Sequence, residues 1–178
     1  MPLNKSLVSG PQSTVLSQRV IEWEHWIIHK GEYFIASDRR DLGSMVTLNY
    51  LFRTGIHGVH LDISAWSAGA LDLDINSAPV IASPFVGTEM AISNHILPLT
   101  GIRTPECEIF KDVDIVEDGG NPDLQRFIPI GSGGEILNQA AGREFVLAPH
   151  HDYLVHIDNL SNGNIRYSIE FNFYEVLL

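Results

Sequence analysis

The sequence has one cysteine, few basic residues and no long apolar run, and each scarcity argues against a class of protein. Because Cys107 stands alone, neither an internal disulfide framework nor a multi-cysteine metal site is expected. No run approaches the roughly 18 apolar residues of a membrane-spanning helix, and residues 1–18 lack the apolar core of a signal peptide. Lys and Arg number 11 against 22 Asp and Glu, a formal net charge of −11. Neither nucleic acid nor an anionic membrane surface is therefore an expected partner.

The remaining composition is that of a globular protein, with 44% hydrophobic and 19% charged residues in a chain of 178. The charge is uneven. Residues 1–60 hold six Lys or Arg and five Asp or Glu, whereas residues 61–178 hold five and 17. The first 20 residues carry Lys5 and Arg19 and no acid. We predict an extended N-terminal arm over residues 1–18 and a single β-sandwich domain over residues 19–178. An arm that lies on a partner and a frayed terminus both fit this pattern.

Alternation of apolar and polar residues with period two runs through the chain from Val20 onward and is typical of half-buried strands. The clearest example is Ile165–Val176, where Ile165, Tyr167, Ile169, Phe171 and Phe173 form a core face, and Arg166, Ser168, Glu170, Asn172 and Tyr174 face solvent or an interface. About ten strands are indicated, with turns at the spacing of a sandwich or barrel. The prediction is an all-β, jelly-roll-like antiparallel β-sandwich.

Four segments carry more specific expectations. Residues 38–43 (DRRDLG) are predicted to form a loop, and residues 117–123 a surface loop. Residues 89–97 and 108–116 are each predicted to contribute a strand. Residues 136–142 have room for one helical turn at most.

Eight histidines invite a metal hypothesis. His57 and His60 flank a turn, and His150, His151 and His156 span a hairpin, so cross-strand pairs could bind zinc. No HExxH sequence or other ligand spacing supports that hypothesis. We therefore predict no metal and no cofactor, and interpret these histidines as polar residues of strands and turns.

Catalytic residues are equally hard to find. Cys107 lies between Glu106 and Glu108, whose charges would raise the pKa of the thiol and make it a poor nucleophile. Paired carboxylates can hydrolyse glycosidic bonds, and Asp72 with Asp74, like Asp112 with Asp114, share a strand face. Alternating aspartates on a solvated strand face are much more common. The sequence predicts a protein without catalytic residues.

Two segments together resemble a widespread family of small proteins encoded in the structural gene clusters of tailed phages. Its members open with a strand of the type x-E-H-H-x-I-H-x-G-x-x-F and close with F-x-L-x-P-x-x-x-Y-L-x-x-x-x-N followed by x-x-x-W-Y-E. Here residues 23–34 read WEHWIIHKGEYF, residues 144–159 read EFVLAPHHDYLVHIDN and residues 168–175 read SIEFNFYE. Phe173 stands where the family pattern has Trp. Residues 93–95 (SNH) resemble a degraded form of its Asn/Arg-rich middle.

This resemblance covers about 60 residues and implies a virion structural protein of the capsid decoration, or cement, type. Such proteins are β-sandwich homotrimers that bind the major capsid protein on the outer face of the head. The mildly cationic arm is then the expected capsid contact, through Leu3, Lys5, Leu7, Val8, Val15, Leu16 and Arg19. Solvent-facing aromatic and long polar side chains are the expected trimer interface, namely Trp23, Trp26, Arg166 and Tyr174.

A carbohydrate-binding module of a phage head or tail fibre is the alternative. An exposed tryptophan can stack on a sugar ring, and Trp23, Trp26 and Trp66 are the candidates. Its partner would be a surface glycan. Core packing is the structural explanation for the same three residues.

Overall fold

A computed structural model describes residues 32–94, 103–120, 123–128, 135–136 and 145–176, with the backbone alone described at 124–128 and 135–136. The predicted arm over residues 1–18 and the predicted interface residues Trp23 and Trp26 lie outside these ranges. The described residues form no helix and fourteen strands, against about ten expected, and four of the fourteen have only two residues each. The strands are β1 (Tyr33–Leu42), β2 (Thr47–Arg53), β3 (Gly58–Ser67), β4 (Leu71–Asn76), β5 (Val80–Ile81), β6 (Thr88–Glu89), β7 (Ser93–Asn94), β8 (Glu108–Lys111), β9 (Ile115–Glu117), β10 (Leu124–Ile128), β11 (Glu135–Ile136), β12 (Phe145–Leu147), β13 (Asp152–Asn159) and β14 (Ile165–Val176).

The strands pair in the order of a jelly roll. β1 pairs with β14, β2 with β13, β3 with β12 and β4 with β10, all antiparallel. The first four strands thus pair in reverse order with β10, β12, β13 and β14, as if one long two-stranded ribbon had been rolled up. Sheet 1 has the order β11-β3-β14-β1-β7, with β12 also on β3. Sheet 2 has the order β10-β4-β13-β2-β8-β6, and β5 with β9 forms a separate ribbon.

Aromatic rings fill the space between the two sheets. Phe34 and Phe173 of sheet 1 pack with their ring centroids 5.4 Å apart, and Phe52 of sheet 2 meets Phe173 edge-on at 5.2 Å. Phe171 packs against Tyr50 at 5.6 Å. All of these rings are fully buried. In β14 the predicted core face is buried and the opposite face is more exposed, so this prediction is confirmed.

Four local predictions need correction. Residues 38–42 continue β1 rather than forming a loop, because Asp38 and Arg40 point inward to polar partners on other strands. Residues 108–116 do not form one strand, since Asp112 has a positive φ of 55° and separates β8 from β9. Within residues 89–94 two short strands, β6 and β7, replace the single one expected. Ile136 lies in strand β11 rather than in a helical turn, and residues 137–142 of that prediction lie outside the described ranges.

Candidate functional surfaces

A buried carboxylate, Asp38, ties the two sheets together at the β1 edge of the sandwich. Its side chain is 8% exposed and accepts a hydrogen bond of 2.8 Å from the Tyr50 hydroxyl. Lys111 Nζ lies 3.1 Å from Asp38 Oδ1, and Arg40 Nε lies 2.8 Å from Oδ2. The hydroxyls of Tyr50 and Tyr167 also share a hydrogen bond. These five residues, Asp38, Arg40, Tyr50, Lys111 and Tyr167, are called the Asp38 cluster below.

The electrostatics of the Asp38 cluster favour a fixed ion network over proton transfer. Burial alone would raise the pKa of Asp38, but hydrogen bonds from Tyr50 and Lys111 and the charge of Arg40 outweigh it and hold the pKa below 3.8. Burial raises the pKa of both Tyr50 and Tyr167. Neither tyrosine therefore ionises near neutral pH, and Asp38 does not take up a proton there. The cluster is a structural latch between sheets 1 and 2.

Cys107 is buried, as an inert thiol should be, but its principal charged partner lies far away in the sequence. Burial first, and then the carboxylate of Glu175 on β14, raise the pKa of the thiol, while Glu106 makes only a smaller contribution. Glu175 Oε1 accepts hydrogen bonds from the backbone N–H of Glu106 at 2.7 Å and of Cys107 at 3.0 Å. Arg103 pairs with the other carboxylate oxygen at 3.1 Å. The arrangement anchors the end of β14 to the segment before β8.

One end of the sandwich carries an open groove of about 520 Å³, formed where the turns after β2, β4 and β12 meet. Arg53, Thr54, residues 77–79 and residues 150–152 line it. Arg53 donates from Nε and Nη2 to the two carboxylate oxygens of Asp152, at 2.9 and 3.1 Å, and its guanidinium lies 5.6 Å from the ring centroids of both Phe85 and Phe110. Because its arginine is already neutralised by structural partners, the groove is poorly suited to hold an anion.

The histidines that suggested a metal site have separate partners. His57 lies 3.6 Å from Glu106, whereas His60 stacks on Tyr174 with ring centroids 4.7 Å apart. His156 contacts Asn49 at 2.8 Å and Asp158 at 3.2 Å. In the described ranges, no three His, Cys, Asp or Glu side chains are grouped as metal ligands.

The aspartates of β4 line the outer face of sheet 2. Asp72 lies opposite Asp158, and Asp74 lies opposite His156. Burial, followed by the charge of Asp72, raises the pKa of Asp74. These half-buried carboxylates therefore repel one another, and sugar hydrolysis has no support from their arrangement.

The predicted interface residues that the structure describes lie at opposite ends of one strand. Arg166 is exposed and pairs with Asp41 at 3.0 Å, and Tyr174 lies on the same outer face of sheet 1, eight residues further along β14. Eight residues of strand span roughly 27 Å, so the two side chains are not neighbours. Trp66 also lies on this face, half-buried and opposite Ser168. No helix long and apolar enough to cross a membrane occurs in the part of the chain that the structure describes.

No protein-family model matches the sequence, and no curated protein sequence matches it. Weak structural similarity exists to solved structures of infectious bursal disease virus. The structure of the Gt strain is 13% identical, with 82% of this chain and 40% of that chain covered and a TM-score of 0.22. The structure of the VP2 subviral particle is 15% identical, with 82% of this chain and 41% of that chain covered and a TM-score of 0.19. This chain thus spans about two fifths of the viral chains. Because these TM-scores are too low to establish a common fold, the jelly roll is assigned from the strand pairing alone.

Proposed function

We propose that this chain is a non-enzymatic virion structural protein that binds the outer surface of a phage capsid between capsomers and stabilises the DNA-filled head. The observation that carries the proposal is the packing of the jelly roll. Jelly rolls serve as viral capsid domains, lectins and metal-binding enzymes of the cupin type. Here buried rings such as Phe52, Phe171 and Phe173 occupy the space between the sheets. A ligand or reaction centre therefore has no room there, and function belongs to the outer surface.

The reactive groups support the same proposal. The Cys107 thiol, the Asp38 carboxylate and the Arg53 guanidinium are each held by partners that fix the fold. The resemblance to phage decoration proteins supplies the specific role. The net charge of −11 is compatible with the outside of a shell that contains DNA.

The proposed mechanism is linkage. A protein that bridges adjacent capsomers adds binding free energy only to the assembled, expanded shell, and mass action then stabilises that state. Three copies of a weak contact in one homotrimer gain from a high effective concentration. Packaged DNA pushes the shell outward, and the bridges oppose that pressure.

Light scattering and co-sedimentation with emptied, expanded phage heads test the proposal. A mass near three chains and saturable co-sedimentation are the expected results. A protein that stays in the supernatant at every concentration would exclude the decoration role, and glycan binding by the wild type and by Trp66→Ala would then be measured.

A further inference from the structure

At the end of the sandwich opposite the open groove, the described turns carry no ionisable side chain, and the exposed Asp41–Arg166 pair lies beside them. Three turns meet there, residues 43–46 after β1, residues 68–70 after β3 and residues 160–164 after β13. None of their twelve residues is Asp, Glu, Lys, Arg or His. In a chain with a formal charge of −11, a neutral surface of this size is a distinct feature. We call these three turns the uncharged tip.

Hydrogen bonds from buried side chains hold the uncharged tip in one conformation. Asn159, 1% exposed, donates from Nδ2 to the carbonyls of Gly43 at 2.7 Å and Gly163 at 3.0 Å. Its Oδ1 accepts from the Ser161 N–H at 2.8 Å, and Ser161 Oγ accepts from the Ala70 N–H at 3.0 Å. All three turns are thereby joined. Because the turns are already ordered, binding of a partner to this surface would cost little conformational entropy.

Three apolar side chains on the uncharged tip are exposed: Met45 is 69% exposed, Val46 42% and Leu160 44%. The Val46 carbonyl accepts a hydrogen bond from Asn159 N–H at 3.1 Å, which places the turn of Met45 and Val46 beside Leu160. Met45 also has a positive φ of 54°, a conformation that favours Gly or Asn. Met45 thus combines an unfavourable backbone conformation with an exposed apolar side chain. The positive φ serves the turn in which Val46 N–H donates to the Gly43 carbonyl, whereas the exposed apolar side chain has no such role in the isolated domain and points to a partner.

We propose that the uncharged tip is the surface through which copies of this chain associate with one another. The described acidic residues all lie outside the tip, and two copies that met through those acidic residues would repel each other. At the tip, Met45, Val46 and Leu160 can be buried without that repulsion. An interface hot spot consists of a few such side chains at its centre, and the surrounding neutral turns would exclude water from them. This inference rests on the homo-oligomer that the proposed function requires, and it replaces Tyr174 as the centre of the contact.

Sedimentation equilibrium of the full-length chain over a range of concentrations tests the inference. Leu160→Glu places a charge on the tip, and Met45→Asn removes the apolar side chain while suiting the positive φ. The matched control is Val146→Glu, because Val146 is 70% exposed on the β12 edge of sheet 1. Both tip variants should raise the dissociation constant at least about tenfold, and the control should not. Met45→Asn should also melt no lower than the wild type, which separates lost association from lost folding.

Salt gives an independent readout. Association through an uncharged surface should strengthen as salt screens the repulsion between copies, whereas an interface built on ion pairs such as Arg166–Asp41 would weaken. A wild-type chain that is monomeric at every concentration, or a Leu160→Glu chain that associates like the wild type, overturns the inference. A tip-dependent oligomer that ignores phage heads would leave the inference intact and exclude the proposed function. An oligomer that binds phage heads and is unaffected by the tip variants would exclude the inference and leave the proposed function intact.

Discussion

Single residues in the phage-like pattern have structural roles in this fold. Asn159, the final residue of the long closing pattern, joins the turns after β1 and β13. The Tyr153 hydroxyl accepts a hydrogen bond from Ala148 N–H at 2.8 Å, and Glu175 anchors the segment that contains Cys107. Phe173, where the pattern has Trp, is a core ring. The pattern therefore carries more information about the jelly roll than about the surface that a partner would bind.

Asn159→Ala should lower the free energy of unfolding by about 2–4 kcal/mol, because several buried backbone groups would lose their only described side-chain partner. Urea denaturation followed by tryptophan fluorescence measures the loss. The matched control is Asn162→Ala, an exposed residue three positions away, which should change stability by less than about 0.5 kcal/mol. Equal losses in the two variants would show that Asn159 does not hold the turns together.

Asp38→Asn should destabilise the protein by about 3–5 kcal/mol near neutral pH, because Arg40 and Lys111 would keep their charges without the buried carboxylate. The pKa of Asp38 is lower in the folded than in the unfolded chain. Its stabilising contribution is therefore complete above about pH 4 and is lost as the pH falls through the folded pKa. The stability difference between wild type and variant should accordingly shrink in acid. Urea midpoints from pH 7 down to about pH 3 follow this difference.

The exposed Asp41 is the control for Asp38. It pairs with Arg166 on the outer face, and exposed ion pairs contribute little to stability, so Asp41→Asn should have a small effect at every pH. A stability difference for Asp38→Asn that stays constant into acid would contradict the assigned ion network.

At the scale of elements, alternation identifies strands that bury one face and fails where polar residues face inward. Residues 59–66 and 165–176 alternate cleanly, and both lie in long strands as predicted. Residues 38–42 were predicted as loop because Asp38 and Arg40 are charged, and the partners that let them lie inside the sandwich come from β2, β8 and β14. A single segment contains no information about those distant partners. The break at Asp112 and the pairing order depend on the same kind of long-range contact.

The turn between β3 and β4 depends on the absence of a side chain at Gly69. A Cβ there would lie 2.4 Å from Ile165 Cγ2 and 2.6 Å from Ser161 Oγ, so Gly69→Ala forces the turn between β3 and β4 away from the turn between β13 and β14. The expected loss of stability is about 1–3 kcal/mol, measured by thermal or urea unfolding. Gly163→Ala is the control, because a Cβ at Gly163 meets no atom within 4 Å. A Gly69→Ala protein as stable as the Gly163→Ala protein would show that the turns between β3 and β4 and between β13 and β14 can move apart without a loss of stability.

Two features describe the molecule as a whole: the two ends of its rolled sheet pair with each other, and its charge is distributed unevenly along the chain. β1 and β14, the first and last described strands, pair over ten residues, so the jelly roll closes only when distant parts of the chain meet. Residues 61–178 hold most of the negative charge, whereas the first 20 residues carry two cations and no acid. An acidic body and a cationic, partly apolar arm suit different partners. The arm is therefore the segment we assign to the capsid.

Deleting residues 1–18 should leave a folded protein that no longer binds heads. The described domain begins after the deleted segment, so its melting temperature should stay within a few degrees of the wild type. Binding to emptied, expanded heads should be lost, because Leu3, Leu7, Val8, Val15 and Leu16 would no longer be available to bury. The arm itself carries only the charge of Lys5, and Arg19 follows directly after it, so head binding by the wild type should weaken only modestly in high salt.

The matched variant for this prediction replaces both Lys5 and Arg19 by Ala and keeps the apolar residues of the arm. It should retain most of the head binding, whereas a contact driven by charge would lose it together with a steep salt dependence. Truncated protein that decorates heads with unchanged affinity would move the capsid contact from the arm to the body. There, the outer face of sheet 1 with Tyr174 and Trp66 would be the next surface to vary.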